Sequence, residues 1–334
     1  MNSEGNGDPY LERYFVGHTK PVTQVRFSPD DSTIATSSAD STVVLWDIKQ
    51  PIRCLCFTEH ADSVNGISWS PNSNFIASCS QDGIVNIWEP KENCICQQFL
   101  LNDQPVRSVD FHPIDPATVV TASDDKSVKL WHVDQKKCIT SFASYEGLVS
   151  SAKFSPNGQL VASCGDDKSL RIFDIKSGEC VWCLTEERGM GRQLAWHPNG
   201  NIVAVALSCC QVNVFDLVAQ ELVQLYQVHS EPVNDLAFHP SGNFLLTGSD
   251  DATVKILDLL KGKPIYTLTG HIGGVTAVAF NNDGSRFASA GCDRQLIVWK
   301  IQTPFDVIIK QEQSSAELDL SDSYDEDVGF KGIF

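Results

Sequence analysis

Histidine, a hydroxyl residue and aspartate recur together along this 334-residue chain: His18, Thr36 and Asp40; His60, Ser78 and Asp82; His229, Thr247 and Asp251; His271, Ser289 and Asp293. Any one set has the make-up of a nucleophilic triad, in which an imidazole takes the hydroxyl proton and a carboxylate orients the ring. Four sets at one internal spacing argue against catalysis, because an active site is built once. The other histidines have positions of their own: His112, His197 and His239 each precede a proline, and His132 follows Trp131. None is left over for a metal cluster or a general base. No glycine-rich phosphate loop, zinc spacing or nucleophile elbow is present. The expectation is a protein that is not an enzyme and needs no cofactor or metal. The one C-x-x-C, Cys180 to Cys183, falls in an expected strand, where residues three apart point to opposite faces, so no metal or redox role is expected there. Cys54, Cys56, Cys79 and Cys164 also fall on strand positions and read as small hydrophobes of a reducing compartment.

The elements that carry these residues repeat. Trp46, Trp88, Trp131, Phe173, Phe215, Leu257 and Trp299 each close a short β-branched run, at steps of 42 or 43 residues. A period this strict means one supersecondary unit copied seven times. In the first copy Gly17-His18 opens the unit and Val22 to Phe27 alternate as a strand. Ser28 to Asp31 make a turn, and Ser32 to Ser38 form a second strand that ends in a tight turn at Asp40. Thr42 to Ile48 form a third strand, and a fourth around Ile52 to Thr58 leads to the next unit at Glu59-His60. Four short strands per unit, with turn signals between them, predict antiparallel sheets.

The combination of Gly-His, turn Asp and Trp-Asp resembles the WD-repeat family, and the resemblance covers about residues 10–302. It implies an all-β, seven-bladed β-propeller. The last unit lacks a fourth strand, whereas Tyr10 to Val16 precede the first unit, so residues 10–16 are expected to close the ring as the outer strand of blade seven and to remove an open sheet edge. The resemblance also implies a hydrogen-bonded chain of His, Ser/Thr, Asp and Trp within a blade. Here the complete sets are His18, Thr36, Asp40 and Trp46; His60, Ser78, Asp82 and Trp88; and His271, Ser289, Asp293 and Trp299. Blade three has Asn102 in place of His beside Thr121, Asp125 and Trp131, and blade four has Tyr145 and Phe173 around Ser163 and Asp167. Blade six keeps His229, Thr247 and Asp251 with Leu257. Blade five has lost every member, with Glu187, Val205, Cys209 and Phe215 in the four places.

The formal charge of −17 disfavours nucleic acid and anionic membranes as partners, since phosphate binding needs a basic stripe. Seven acids and no base between Gln311 and Asp327 leave −10 for the rest. The organisation expected is a disordered N-terminus over 1–9, the propeller over 10–302 and an acidic disordered tail over 303–334, in which Ser321 and Ser323 are phosphorylation candidates for an acidophilic kinase. No basic segment with an apolar core opens the chain, so a cytoplasmic or nuclear location is expected.

Propellers of this family present three variable positions per blade around the mouth of the central channel. The resemblance places them beside the first strand-one Val and before the turn Asp. Protein-binding candidates there are Arg107, Arg192, Asp124, Asp166, Asp250, Met190, Asn65 and Asn234. Longer stretches narrow the resemblance further: Ser123 to Trp131, Phe238 to Thr247, Ile256 to Leu260, Pro264 to His271, Thr185 to Arg188 and Arg192 to Pro198 look like the "protein of centriole one" family of WD-repeat proteins, insect members included. That resemblance implies a non-catalytic scaffold of centrioles and basal bodies, at the centrosome and cytoskeleton, acting in centriole integrity, length and cilium formation through centriolar or microtubule-associated protein partners. Family members carry a C-terminal coiled coil. No heptad pattern follows Ile301, so self-association is not implied. The alternative is an adaptor propeller, such as a ubiquitin-ligase substrate receptor. Its docking motif needs an Arg two residues after Trp-Asp, where Trp46-Asp47 is followed by Ile48 and Lys49.

Overall fold

The structure is a computed structural model that describes residues 8–50, 54–90, 96–100, 104–143, 145–185 and 188–302. Among these residues the regular elements are all strands. β1 (Tyr10–Val16) comes first. Blade one is β2 (Val22–Phe27), β3 (Thr33–Ser38), β4 (Val43–Asp47) and β5 (Cys54–Phe57), and blade two is β6 (Val64–Trp69), β7 (Ile76–Ser80), β8 (Ile84–Trp88) and β9 (Cys96–Leu100). Blade three is β10 (Val106–Phe111), β11 (Thr118–Ser123), β12 (Ser127–His132) and β13 (Lys137–Ala143), and blade four is β14 (Val149–Phe154), β15 (Leu160–Gly165), β16 (Ser169–Asp174) and β17 (Cys180–Thr185). Blade five is β18 (Gly191–Trp196), β19 (Ile202–Leu207), β20 (Val212–Asp216) and β21 (Glu221–Tyr226). Blade six is β22 (Val233–Phe238), β23 (Phe244–Ser249), β24 (Thr253–Asp258) and β25 (Lys263–Thr269). Blade seven is β26 (Val275–Phe280), β27 (Arg286–Gly291) and β28 (Gln295–Lys300), with β1 as its outer strand.

Seven four-stranded antiparallel sheets result. β1 pairs with β28 from Tyr10↔Lys300 to Val16↔Gln295, so the two ends of the repeat array share one sheet. Glu12 and Arg286 add an ion pair with Nε to Oε2 at 2.7 Å. The ring therefore closes without an unpaired strand left over from blade seven.

The second and third strands of the blades are nearly continuously buried, as in β4 (VVLWD) and β19 (IVAVAL), because both faces of a blade meet a neighbouring blade and the buried residues form inter-blade layers. Trp46 packs with Val25, Ile34, Leu296 and Val298 between blades seven and one, and Trp88 packs with Ala35, Leu45 and Ile67 between blades one and two. Phe173 stacks on Phe142 at 4.6 Å between blades three and four.

Two recurrent bulges shape the sheets. On every inner strand the register shifts at the second residue: Thr23, Asn65, Arg107, Ser150, Arg192, Asn234 and Thr276. A bulge adds one residue to one strand and re-aims the side chain there. Five outer strands carry a second bulge, and on β17 the extra residue is Val181. This corrects the expectation for the C-x-x-C. Cys183 lies opposite Arg171 and Cys180 opposite Phe173, two residues apart on an unbulged strand, so both thiols stand on one face. Strict alternation failed because the bulge consumes one step of the period.

Neighbouring blades are also latched at the turns between their first two strands. His112 Nε2 donates to Gly158 O at 3.0 Å, His197 Nε2 to Gly242 O at 2.9 Å, and His239 Nε2 to Gly284 O at 3.2 Å. Each glycine has positive φ (69°, 81° and 71°), and a Cβ there would sit 2.3–2.4 Å from the imidazole. At the closing joint Asn281 stands in the histidine's place and Asp31, with φ of 55°, in the glycine's; the Asp31 carboxylate accepts from Asn281 Nδ2 at 3.3 Å and from Asn282 N at 2.9 Å.

Candidate protein-interaction site at the channel mouth

The recurrent polar residues meet inside the blades. In blade one the Trp46 indole donates to Thr36 Oγ1 at 2.8 Å, Thr36 Oγ1 lies 2.8 Å from His18 Nε2, and His18 Nδ1 lies 3.1 Å from Asp40 Oδ2. A carboxylate only accepts, so Nδ1–H faces Asp40, and in the neutral ring Nε2 then accepts from the Thr36 hydroxyl. Blade two repeats this through Trp88, Ser78, His60 and Asp82 at 2.7, 2.7 and 3.1 Å. Blade seven does so through Trp299, Ser289, His271 and Asp293 at 2.9, 2.8 and 2.9 Å. In blade six His229 joins Thr247 and Asp251 at 2.9 and 2.8 Å. Burial pushes the Asp40 carboxyl up, but bonds from Thr42, the Thr19 amide and His18 outweigh it and hold it at about 2. Burial also lowers His18, His60 and His229 against the pull of their aspartates.

The incomplete blades recruit substitutes that spacing did not reveal. Lys129 Nζ reaches Asp125 at 2.8 Å in blade three, and Arg171 reaches Asp167 at 3.2 Å in blade four while lying over the Tyr145 ring at 4.4 Å. Tyr145 Oη and Ser163 Oγ are hydrogen-bonded. The available signal was a cation four residues after the turn Asp in the blades that lack His. Blade five has no such exchange: Val205 and Phe215 are buried, and Asn213, 1% exposed, has neither amide atom hydrogen-bonded. Asn102, Glu187, Ser321 and Ser323 lie outside the described residues.

The inner-strand bulges direct their side chains to the channel mouth, where four of the seven are used in stitching the ring. Thr23 donates to Val64 O at 2.6 Å, Asn65 to Val106 O at 2.8 Å, Asn234 to Val275 O at 2.9 Å, and Thr276 to Val22 O. Each bond joins a blade to the next one. Blades three to five differ, because Arg107, Ser150 and Arg192 occupy the same bulge position. Arg107 grips Asp124 with Nε and Nη2, both at 2.7 Å. That bond, with Asp166 nearby, raises the guanidinium pKa further. Arg192 reaches across to Asn234 and to Asp250 at 3.2 Å. A cavity of about 380 Å³ opens here, with Arg107, Asp124, Leu148, Asp166 and Arg192 in its wall. Met190, two residues before Arg192 in the chain, is exposed. The mouth is thus asymmetric: one arc is stitched to neighbouring backbone, and the other carries two arginines, each 38% exposed, on a polar cavity that Thr23 and Asn65 also border. Among the described residues, no group of three or more His, Cys, Asp or Glu is placed to hold a metal ion.

Fold and repeat define the class. The family model described as WD domain, G-beta repeat matches residues 10–47, 50–89, 94–132, 136–174, 220–258 and 262–300, and the chain belongs to that family. The unmatched gap contains β18, β19 and β20, the inner strands of the blade that has lost its polar set. Among individual proteins, the chain is similar to POC1 centriolar protein homolog of Drosophila melanogaster, 58% identical over 50 residues, 15% of this chain and 13% of that one. It is similar to Protein Mut11 of Chlamydomonas reinhardtii, 64% identical over 31 residues, 9% and 8% of the two chains. It is also similar to Coronin-7 of Homo sapiens, 30% identical over 162 residues, 48% of this chain and 14% of that one. The matched stretches span at most 14% of these relatives' length.

Proposed function

We propose that this chain is a non-catalytic scaffold of centrioles and basal bodies that recruits protein partners at the mouth of its propeller. In this role it supports centriole integrity, centriole length and cilium formation from the cytoplasm and centrosome. The observation that carries the reading is the 58% identity to a centriolar protein homolog over 50 residues. The propeller over 10–302 is the recognition unit, and 303–334 is a separate acidic element. Contacts fall on the open arc, to Arg192, Met190, Asp166 and the Arg107–Asp124 pair. Asn65 and Asn234 support that arc through their backbone bonds. The solvated charges there set partner choice and association rate more than affinity.

Imaging of the tagged chain in dividing or ciliated cells, beside a version lacking 303–334, tests the reading. Centriolar foci from both support the propeller as the targeting unit, and diffuse signal from both refutes the scaffold role. Charge reversal by Arg192→Glu should weaken recruitment with unchanged circular dichroism. Undiminished foci would move the contact away from the mouth.

A further inference from the structure

The outer strands carry thiols at repeated register positions. Cys54, Cys96, Cys138 and Cys180 each lie opposite the residue that closes the third strand, Trp46, Trp88, Trp131 and Phe173 respectively. Blades one and four add a second cysteine two register steps away, Cys56 opposite Val44 and Cys183 opposite Arg171. Both members of each pair therefore share a face, in β5 by simple alternation and in β17 because of the bulge at Val181. All four are exposed and free. In β17 the intervening Trp182 packs with Leu184 into the layer toward blade five, leaving the thiols on the opposite side. Burial pushes the Cys180 and Cys56 thiols up, and the neighbouring Cys183 raises Cys180 further, as Asp40 and Cys54 raise Cys56.

Two register steps along a strand separate the Cα atoms by roughly 6.6 Å. That is near the upper limit for a disulfide, whose sulfurs must close to about 2.05 Å. A bridging atom with two bonds of about 2.3 Å to sulfur asks only that the sulfurs approach to roughly 4 Å. We propose that Cys180 and Cys183, and by the same register Cys54 and Cys56, are dithiol sites for a soft, thiophilic metal or metalloid centre. The inference is independent of the centriolar reading. With phenylarsine oxide as probe, two S–H bonds lose their protons and two As–S bonds form. The arsenic-bound oxygen leaves as water, and no atom changes oxidation state.

The test treats the reduced full chain with phenylarsine oxide, then with excess monothiol, and counts retained arsenic by intact mass. A bridged arsenical withstands a monothiol, whereas a single-thiol adduct does not. Because Cys209 and Cys210 are adjacent in sequence, the measured quantity is the difference from the parent chain. Cys183→Ser and Cys180→Ser should each lose one equivalent, Cys56→Ser one, and Cys56→Ser with Cys183→Ser two, with circular dichroism unchanged. Parental uptake by both Cys180→Ser and Cys183→Ser, or complete stripping by monothiol, would overturn the proposal.

Discussion

Substituting Gly158 by alanine tests the inter-blade latch directly. Gly158 has φ of 69°, and its new Cβ would lie 2.3 Å from His112 Nε2. A left-handed alanine costs about 1–2 kcal/mol. Carbon contacts settle near 3.5–4.0 Å, so the ring must also withdraw by roughly 1 Å. That breaks its 3.0 Å bond to Gly158 O, a further loss of about 0.5–1.5 kcal/mol. The expected total is about 1.5–3.5 kcal/mol. Gly178→Ala is the control, because φ there is 73° but the nearest atom, Thr140 Cγ2, is 3.9 Å away, so only the backbone cost of about 1–2 kcal/mol remains. His112→Ala gives up the same Gly158 bond, the bond from Asp115 N at 2.9 Å and the edge contact with Phe154. In the double variant the clash is gone and the shared bond is counted once. It should therefore be about 1 kcal/mol more stable than the two single losses predict together. Urea unfolding followed by fluorescence and circular dichroism measures all four, provided the transitions coincide and the slope is unchanged. Additivity within about 0.5 kcal/mol, or a Gly158→Ala midpoint equal to that of Gly178→Ala, refutes the latch.

Three further outcomes follow from the same contacts. Asn213→Val removes two unpaired buried polar atoms from β20 and should raise stability by about 1–3 kcal/mol, read as a higher urea midpoint; a lower midpoint would show that the amide is satisfied in solution. Acid should act in two stages. His18, His60 and His229 are held below the usual histidine value, so the unfolded chain takes up protons first, and their contribution is whole above about pH 6.5 and lost as pH falls below it. Asp40, held at about 2, and Asp251, also lowered, contribute above about pH 4 and lose that contribution as pH falls toward 2. A midpoint flat from pH 7 to 5 would contradict the first stage. Glu12→Gln weakens the Arg286 pair at the ring closure and should cost about 1 kcal/mol at low salt, with the difference shrinking in 1 M salt; a salt-independent loss would place the effect elsewhere.

The period was legible because each sheet can bury its two faces only against copies of itself, so the unit must recur and its last strand must be borrowed from the other end. The β1–β28 pairing is that borrowing, visible in advance as one surplus strand before His18 and one missing strand after Trp299. Side-chain direction was less legible, because a single bulge residue inverts the parity of everything beyond it. Val181 shows this at the rim of blade four, where parity separated two thiols that the register unites. The same device at the mouth has the opposite effect on interpretation. Arg107, Ser150 and Arg192 look alike in sequence position to Thr23, Asn65, Asn234 and Thr276, and all seven are bulge residues. The threonines and asparagines cap the next blade's carbonyl, whereas Arg107 turns to Asp124 of its own blade and Arg192 to Asn234 and Asp250 of the next. The residue at this one bulge therefore divides the mouth into an arc with backbone stitches and an arc without them. The proposed binding surface follows from that division, because a side chain stitched to the next blade's backbone must give up that carbonyl to contact a partner, whereas Arg107 and Arg192 hold side-chain carboxylates and stay 38% exposed.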